Sequence, residues 1–221
     1  MKTLFTFLFV LFIINLFGQI DTNRYSLGLS VGLNDSFSKT KNIADNNAFV
    51  GSLDSLEQSG WYGQVGLHLG IQLNAKLQLS GGLEFDTFGH TIDTISNASL
   101  HSIRYSYRYL GLPIGIVYQH RTSHSIVPFV GAALVPSKLI SQQWAYRTYS
   151  SNSREIDKTA YELNTLQLQA RINAGILINM HPKYTLSTSI GYQRNLISLS
   201  NFGIERFYQK FGIQMRLDRS F

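Results

Sequence analysis

Residues 61–73 read Trp-Tyr-Gly-Gln-Val-Gly-Leu-His-Leu-Gly-Ile-Gln-Leu, a strict alternation. Trp61, Val65, Leu67, Leu69, Ile71 and Leu73 share one parity; Tyr62, Gln64, Gly66, His68, Gly70, Gln72 and Asn74 share the other. Side chains of an extended strand alternate between two faces, so this segment has one apolar face and one polar or bare face. It is also long against the usual strand of about 5–6 residues. Whatever this chain folds into must give such a strand two different surroundings.

The pattern recurs at 24–34, 77–88, 103–119, 126–138, 166–180, 184–196 and 206–217, giving eight candidate strands. In 24–34, Tyr25, Leu27, Leu29, Val31 and Leu33 oppose Ser26, Gly28, Ser30 and Gly32; in 166–180 the apolar parity runs from Leu166 to Met180. The connections alternate in length. Those at 74–76, 120–125 and 181–183 are short, and those at 35–60, 89–102, 139–165 and 197–205 are long. Ahead of the strands lies an early cation, Lys2, then the apolar run from Leu4 to Phe17, then the small residue Gly18. An apolar core of roughly 15 residues suits a removed leader, whereas a spanning helix needs about 20. Residues 1–18 therefore read as a signal peptide and 19–221 as one exported domain; Asn15 and Gly18 interrupt the run and argue against an anchor.

Composition decides what surrounds the strands. Cysteine is absent, which excludes a disulfide-held scaffold and a thiolate metal site. Charged residues make up 14% of the chain, against roughly 25% in an average soluble domain. A mean hydropathy of −0.03 excludes a helical membrane bundle but fits strands whose apolar and polar faces cancel in the average. A soluble ligand-binding barrel would turn its apolar face inward and carry Lys and Glu outside. Strands 61–74, 166–180 and 184–196 carry almost none, and the Gly, Gln, His and Asn of the second face suit a narrow filled lumen. The expectation is an all-β fold: an eight-stranded antiparallel up-and-down transmembrane β-barrel in the cell outer membrane, with short periplasmic turns and long outer loops. Leu67, Leu69 and Ile71 should meet lipid, and Gln64, His68 and Gln72 should fill the lumen.

Two strands stay open. Tyr105, Tyr107 and Tyr109 share one parity while Leu110, Leu112, Ile114, Ile116 and Tyr118 share the other. Either a bulge near Tyr109 switches faces or the tyrosines point inward near the rim. Pro113 costs that strand a ladder hydrogen bond. From Ile126 to Leu134 the residues are nearly all apolar, so alternation does not set their facing.

The stretch Tyr109-Leu110-Gly111-Leu112-Pro113-Ile114 resembles the Y-L-x-[IL]-P-[IL] strand of the PorT-like outer-membrane β-barrel family. Pro128-Phe129-Val130-Gly131-Ala132, Asn173-Ala174-Gly175 and Gly191-Tyr192-Gln193-Arg194-Asn195-Leu196 are similar to later motifs of that family, in the same order. The resemblance covers essentially the whole mature chain. It implies a small barrel of Gram-negative outer membranes in a functionally diverse family, whose founding member assists a system that secretes adhesins and proteases.

Candidate functional residues follow from the two faces. Glu84 and Asp86 share the lumen face with Arg171, Lys210 and Arg216, and charges at membrane depth are expensive unless paired. Interior ion pairs among these five, linking several strands, are expected. The loop 139–165 sets Trp144, Tyr146, Arg147 and Tyr149 close together; exposed aromatics with Arg are typical contact residues, so it is either a partner-binding loop or a hairpin that extends the sheet. His90 lies near Asp93, Ser96 and Ser99 in sequence, but no spacing puts the three groups of a nucleophilic triad on one face. His120, His124 and His181 sit on separate turns without metal-ligand spacing. No catalytic residue, metal or cofactor is expected. The net charge of +6 is scattered, without the basic run or stripe that nucleic acid requires. Expected partners are outer-membrane lipid and lipopolysaccharide, the barrel assembly machinery during insertion, and a surface or secretion partner. The terminal alternation Phe211 to Leu217, followed by Phe221, resembles an assembly signal closed by either Leu217 or Phe221. A structural or interaction role leads, with a secretion accessory and a lipid A-modifying enzyme as alternatives.

Overall fold

The computed structural model describes residues 24–42, 57–96, 99–120, 125–148, 154–157, 165–198 and 204–221. Their strands, in chain order, are β1 (Tyr25–Asn42), β2 (Glu57–Gln58), β3 (Gly60–Gln72), β4 (Leu77–Ser96), β5 (Ser99–Gly111), β6 (Ile114–Gln119), β7 (Ile126–Thr148), β8 (Arg154–Asp157), β9 (Leu166–His181), β10 (Tyr184–Asn195) and β11 (Ile204–Ser220). Every pairing between them is antiparallel. β5 and β6 occupy one position between β4 and β7, so the ring runs β1, β3, β4, β5 with β6, β7, β9, β10, β11 and back to β1. The closing seam pairs β1 with β11 from Ser26↔Ser220 to Asn42↔Ile204. This is an eight-stranded barrel, with β2 and β8 as short additions beside β4 and β7.

Local chemistry explains the tight turns. Asn74 Oδ1 accepts hydrogen bonds from the backbone N–H groups of Lys76 and Leu77, at 2.8 and 2.9 Å, which bends the chain back between β3 and β4. At the other described tight turn Pro182 and Lys183 join the paired residues His181 and Tyr184. The ladder breaks at Pro113, which has no N–H to give. β4 pairs with β6 up to Gly81↔Ile114 and with β5 from Glu84↔Gly111, so Leu112 and Pro113 bridge the gap.

The tyrosine strand keeps one parity throughout. Tyr107 and Tyr109 are buried in the lumen, while Leu110, Leu112, Ile114, Ile116 and Tyr118 are exposed outside. The irregularity lies on the neighbour instead. Arg108 pairs with Ser141 and Tyr109 with Leu139, which leaves Ile140 of β7 as the extra residue of a bulge. Before that bulge Val127, Phe129 and Val135 face inward and Ile126, Val130 and Leu134 outward.

The connections differ from the expected loops. Within 89–102 the strands β4 and β5 stay paired as far as Ser96↔Ser99, the β1–β11 pairing runs on to Asn42↔Ile204, and β7 continues to Thr148 beside β5 and β8. Backbone pairing needs no apolar face, so the sheet outgrows the hydrophobic pattern that marks it in sequence. The expected leader, residues 1–18, lies outside the described residues.

The outer face is apolar. Leu29 is 65% exposed, Ile114 60% and Ile172 60%, and Leu67 and Leu69 stand exposed beside them as expected. Soluble monomers rarely show contiguous apolar patches beyond a few hundred Å². Val31 lies midway between Tyr25 and Phe37 on this face. A Val31→Lys variant should lose about 2–4 kcal/mol of stability in urea titrations from lipid vesicles, the cost of a cation near the midplane. A change within about 0.5 kcal/mol, ordinary for a water-exposed site, would contradict a lipid-facing β1.

Candidate functional site: the lumen

The lumen has three layers from the long-connection end toward the short turns. The middle layer carries charge. Glu84 of β4 accepts a forked pair of hydrogen bonds across the barrel from Arg171 of β9, Nη1 to Oε2 at 2.9 Å and Nη2 to Oε1 at 2.5 Å. Gln64 Nε2 adds a third at 2.8 Å, and Arg171 Nε donates to Gln193 Oε1 at 3.0 Å. Asp86 of β4 pairs across the lumen with Lys210 of β11, whose Nζ also stands 5.2 Å from the centre of the Phe88 ring. Glu84 has glycines as its neighbours on both sides, Gly66 of β3 and Gly111 of β5. A Cβ at Gly111 would come within 3.2 Å of Glu84 Cγ, and one at Gly66 within 3.3 Å of Glu84 Cβ. The bare positions of the sequence therefore make room for the charged side chain between them.

Of the five charged candidates, four meet as two cross-lumen pairs. Arg216 does not join them. Its Nε donates to Asp218 Oδ2 at 2.8 Å, two residues along its own strand and so on the same face. That partner was readable from the period of two in sequence. Further amides extend the middle layer along β9 and β10: Gln193 donates to Gln169, and Asn195 Nδ2 to Gln167 Oε1 at 3.1 Å. His68 shares a hydrogen bond of 2.8 Å with Ser30 Oγ.

Above the charges is an aromatic layer. Phe88 stacks on Tyr109 with ring centres 4.9 Å apart and packs against Tyr107 and Tyr208. His90 lies beyond Phe85, after which the outward positions of β4 are Thr87, Gly89, Thr91 and Asp93, so it stands clear of the lipid-facing stretch. Its Nε2 accepts from Arg206 Nη1 at 2.9 Å, which leaves Nδ1 to donate to the Tyr208 hydroxyl. Arg206 Nη2 also reaches Glu57 Oε1 at 2.6 Å, and Ser38 donates to the other oxygen of Glu57. Burial, then the charge of Arg206, lowers the His90 pKa to about 3. His90 is a neutral linking group here, with both ring nitrogens engaged. Sequence reasoning placed His90 beside Asp93, Ser96 and Ser99. It missed Arg206, Tyr208 and Glu57, which only barrel closure brings near.

The third layer, at the short-turn end, is a polar cavity of about 670 Å³ lined by Arg24, Gln72, Gln78, Gln119, Asn179 and Arg216, with Val127 and Leu177 in its wall. For the aromatic loop, the backbones of Trp144, Tyr146 and Arg147 lie in β7; their side chains and all of Tyr149 lie outside the described residues. His120 and His181 sit exposed on their turns, and His124 lies outside the described residues. Among the described residues no three metal-ligating side chains are grouped to hold an ion.

No protein-family model and no curated protein matches the sequence. Solved structures do. The outer membrane protein OprG from Pseudomonas aeruginosa superposes with a TM-score of 0.52 at 10% identity, covering 90% of this chain and 97% of that one. The outer membrane protease OmpT from Escherichia coli gives 0.51 at 9% identity, covering 92% and 99%. The fold is that of an outer-membrane β-barrel. At such identities the likeness concerns architecture, and the apolar exterior supplies the independent reason that a barrel of this shape sits in a bilayer.

Two outcomes follow. Arg171→Met strands a buried carboxylate and should cost about 3–5 kcal/mol, while the double variant Glu84→Gln with Arg171→Met should regain much of it; equal losses in single and double variants in urea titrations would contradict the pairing. His90 binds no proton in the folded barrel until well below the unfolded pKa of 6.5. Its contribution is therefore whole above pH 6.5 and is lost as pH falls toward about 3, at up to about 1.4 kcal/mol per unit. Stability measured at pH 7 and pH 5 should fall more in the parent than in His90→Phe, and parallel curves would remove His90 from the account.

Proposed function

We propose that this chain is an integral outer-membrane barrel with a structural or interaction role, a closed non-conducting lumen and no enzymatic activity. The observation that carries this reading is the pair of cross-lumen salt bridges, Glu84 with Arg171 and Asp86 with Lys210, beneath the stacked Phe88, Tyr107, Tyr109 and Tyr208. Eight strands leave an interior just wide enough for side chains to fill, and at these two levels, above the cavity at the short-turn end, they fill it. Both nitrogens of His90 are held by Arg206 and Tyr208, so neither is directed at a serine, which favours a structural over a lipid A-modifying role.

Lipid and lipopolysaccharide are the partners that suit the outer wall. Arg104, Arg108 and Lys138 stand exposed on β5 and β7 at and beyond the end of the apolar face, the level of phosphate headgroups. The Phe221 backbone N–H donates to the Tyr25 carbonyl at 2.8 Å, so the last aromatic residue completes the β1–β11 seam; this supports its reading as the signal met by assembly machinery. A secretion accessory is the second reading. It is favoured by the PorT-like motifs around Pro113 and by the tall wall of β4, β5, β7 and β8, a surface for a partner above the membrane.

The direct test is electrical. Purified barrel that shows a heat-shifted gel band should give no sustained open steps in planar bilayers, and Asp86→Ala with Lys210→Ala should admit brief openings. Large stable conductance in the parent would overturn the closed lumen. Recovery of secretion components in a pull-down from outer-membrane extracts, lost when 139–165 is deleted, would move the role to the second reading.

A further inference from the structure

The cavity at the short-turn end departs from the chemistry of the rest of the lumen. Elsewhere at membrane depth, inward positions of the lumen are mostly small, amide or charged and are bonded to one another; here four apolar side chains, Val117, Val127, Phe129 and Leu177, cluster inside the barrel. Inward apolar residues break the polar-inside pattern, and such breaks concentrate at functional sites. Val127 and Leu177 line the cavity, and the ladder places them in one row with a cation: Val127 pairs with Leu177, Leu177 with Ser187, and Ser187 with Arg216. Two strand spacings separate Leu177 from Arg216, roughly 10 Å at about 4.8 Å each.

The cation is only partly spent. Arg216 uses Nε on Asp218, and its two terminal nitrogens carry no hydrogen bond among the described residues. A guanidinium fork of this kind receives a carboxylate or phosphate through two parallel bonds. Arg24 stands on the same rim, and Asp218 belongs to the same lining, so the cavity wall sets two cations against one carboxylate. Amide groups surround the space: Gln119 donates to Gln78 at 3.3 Å and Gln78 to Ser26 at 3.2 Å, which fixes these side chains ahead of any ligand. Asn179 accepts from Thr185 at 3.2 Å and keeps its own N–H groups for other use. The volume, about 670 Å³, lies within the range of about 300–1,000 Å³ usual for small-molecule sites.

We infer that this cavity is a binding site for a small organic anion: a carboxylate or phosphate head on the Arg216 fork, an apolar body against Val127 and Leu177. This rests on the outer-membrane reading with the short turns in the periplasm, from which side the ligand would arrive. The inference concerns binding and adds to the closed-lumen reading, since the charged and aromatic layers beyond it still block passage.

Methyl-labelled Val and Leu report on both apolar residues in full-length barrel held in lipid nanodiscs. Titration with phenyl phosphate or benzoate should give saturable shifts of the Val127 and Leu177 methyl signals, and neutral benzyl alcohol should bind more weakly than either. Arg216→Gln should weaken both anions by roughly tenfold or more, about 1.4 kcal/mol or above; Arg216→Lys, which keeps charge without the fork, should fall between. Lys183→Gln, a change outside the cavity, should leave binding as in the parent. A difference between phenyl phosphate and benzoate assigns the preferred head group. Absence of saturable shifts, equal binding of benzyl alcohol, or undiminished affinity in both Arg216 variants would overturn the site. Each sample is checked for its heat-shifted band, so a lost site is told apart from a lost barrel.

Discussion

In hydrocarbon there is no water to receive an unpaired N–H or C=O, and each one left bare costs several kcal/mol. A sheet can cross a bilayer only if it has no edge. The β1–β11 seam therefore carries the rest of the structure: it runs from Ser26↔Ser220 to Asn42↔Ile204 and is extended by the Phe221 N–H on the Tyr25 carbonyl. Once the ring is closed, everything else follows from one question, what each face touches. Leu27, Leu29, Val31 and Leu33 stay exposed because lipid, not water, is their solvent. Ser30 and Gln64 turn inward because a narrow lumen rewards small or hydrogen-bonding groups.

Closure also creates the interior chemistry. Residues more than eighty positions apart become facing neighbours, and Glu84 meets Arg171 only because β4 and β9 stand across the same narrow tube. A buried pair of this kind adds little net stability over an apolar pair, but losing one partner is costly. The two salt bridges thus act mainly as cross-braces that forbid other registers. A one-residue slip of β4 would turn Glu84 and Asp86 toward lipid, so the charges penalise every alternative pairing. The aromatic layer and the His90–Tyr208–Arg206 contacts close the tube above them.

How much of this was legible depended on contrast between parities. At 61–73 and 166–180 apolar and polar residues alternate cleanly, and the facing read from sequence is the facing in the structure. Between Ile126 and Leu134 both parities are apolar, so nothing in the pattern could say that Val127 and Phe129 turn inward; the pairing of β7 with its neighbours decides it. The bulge at Ile140 was invisible for the same reason, since Val135 to Ile140 mixes types on both faces. The charges on the lumen face could be named, but choosing partners needed register, which is a property of the closed ring. Arg216 was the exception, with Asp218 two residues away on the same face. The tall outer strands escaped because polar residues in water carry no alternation to read. The resemblance around Pro113 anticipated a barrel, and the structure adds why a proline is tolerated there: β5 and β6 share the position on either side of it.

Which solvent each parity meets decides whether the barrel stands in a membrane, and the chain contains no cysteine, so single labels can be placed without background. Spin labels introduced one at a time at Leu29, Leu67 and Ile213, and at Gln64 and His68, can be read in vesicles by relaxation with oxygen and with a water-soluble nickel chelate. The first three should be strongly relaxed by oxygen and shielded from the chelate, with the order lost at the inward pair. Chelate access at Leu29, Leu67 and Ile213 equal to that of a label in free solution would show these residues in water and contradict the barrel in its membrane.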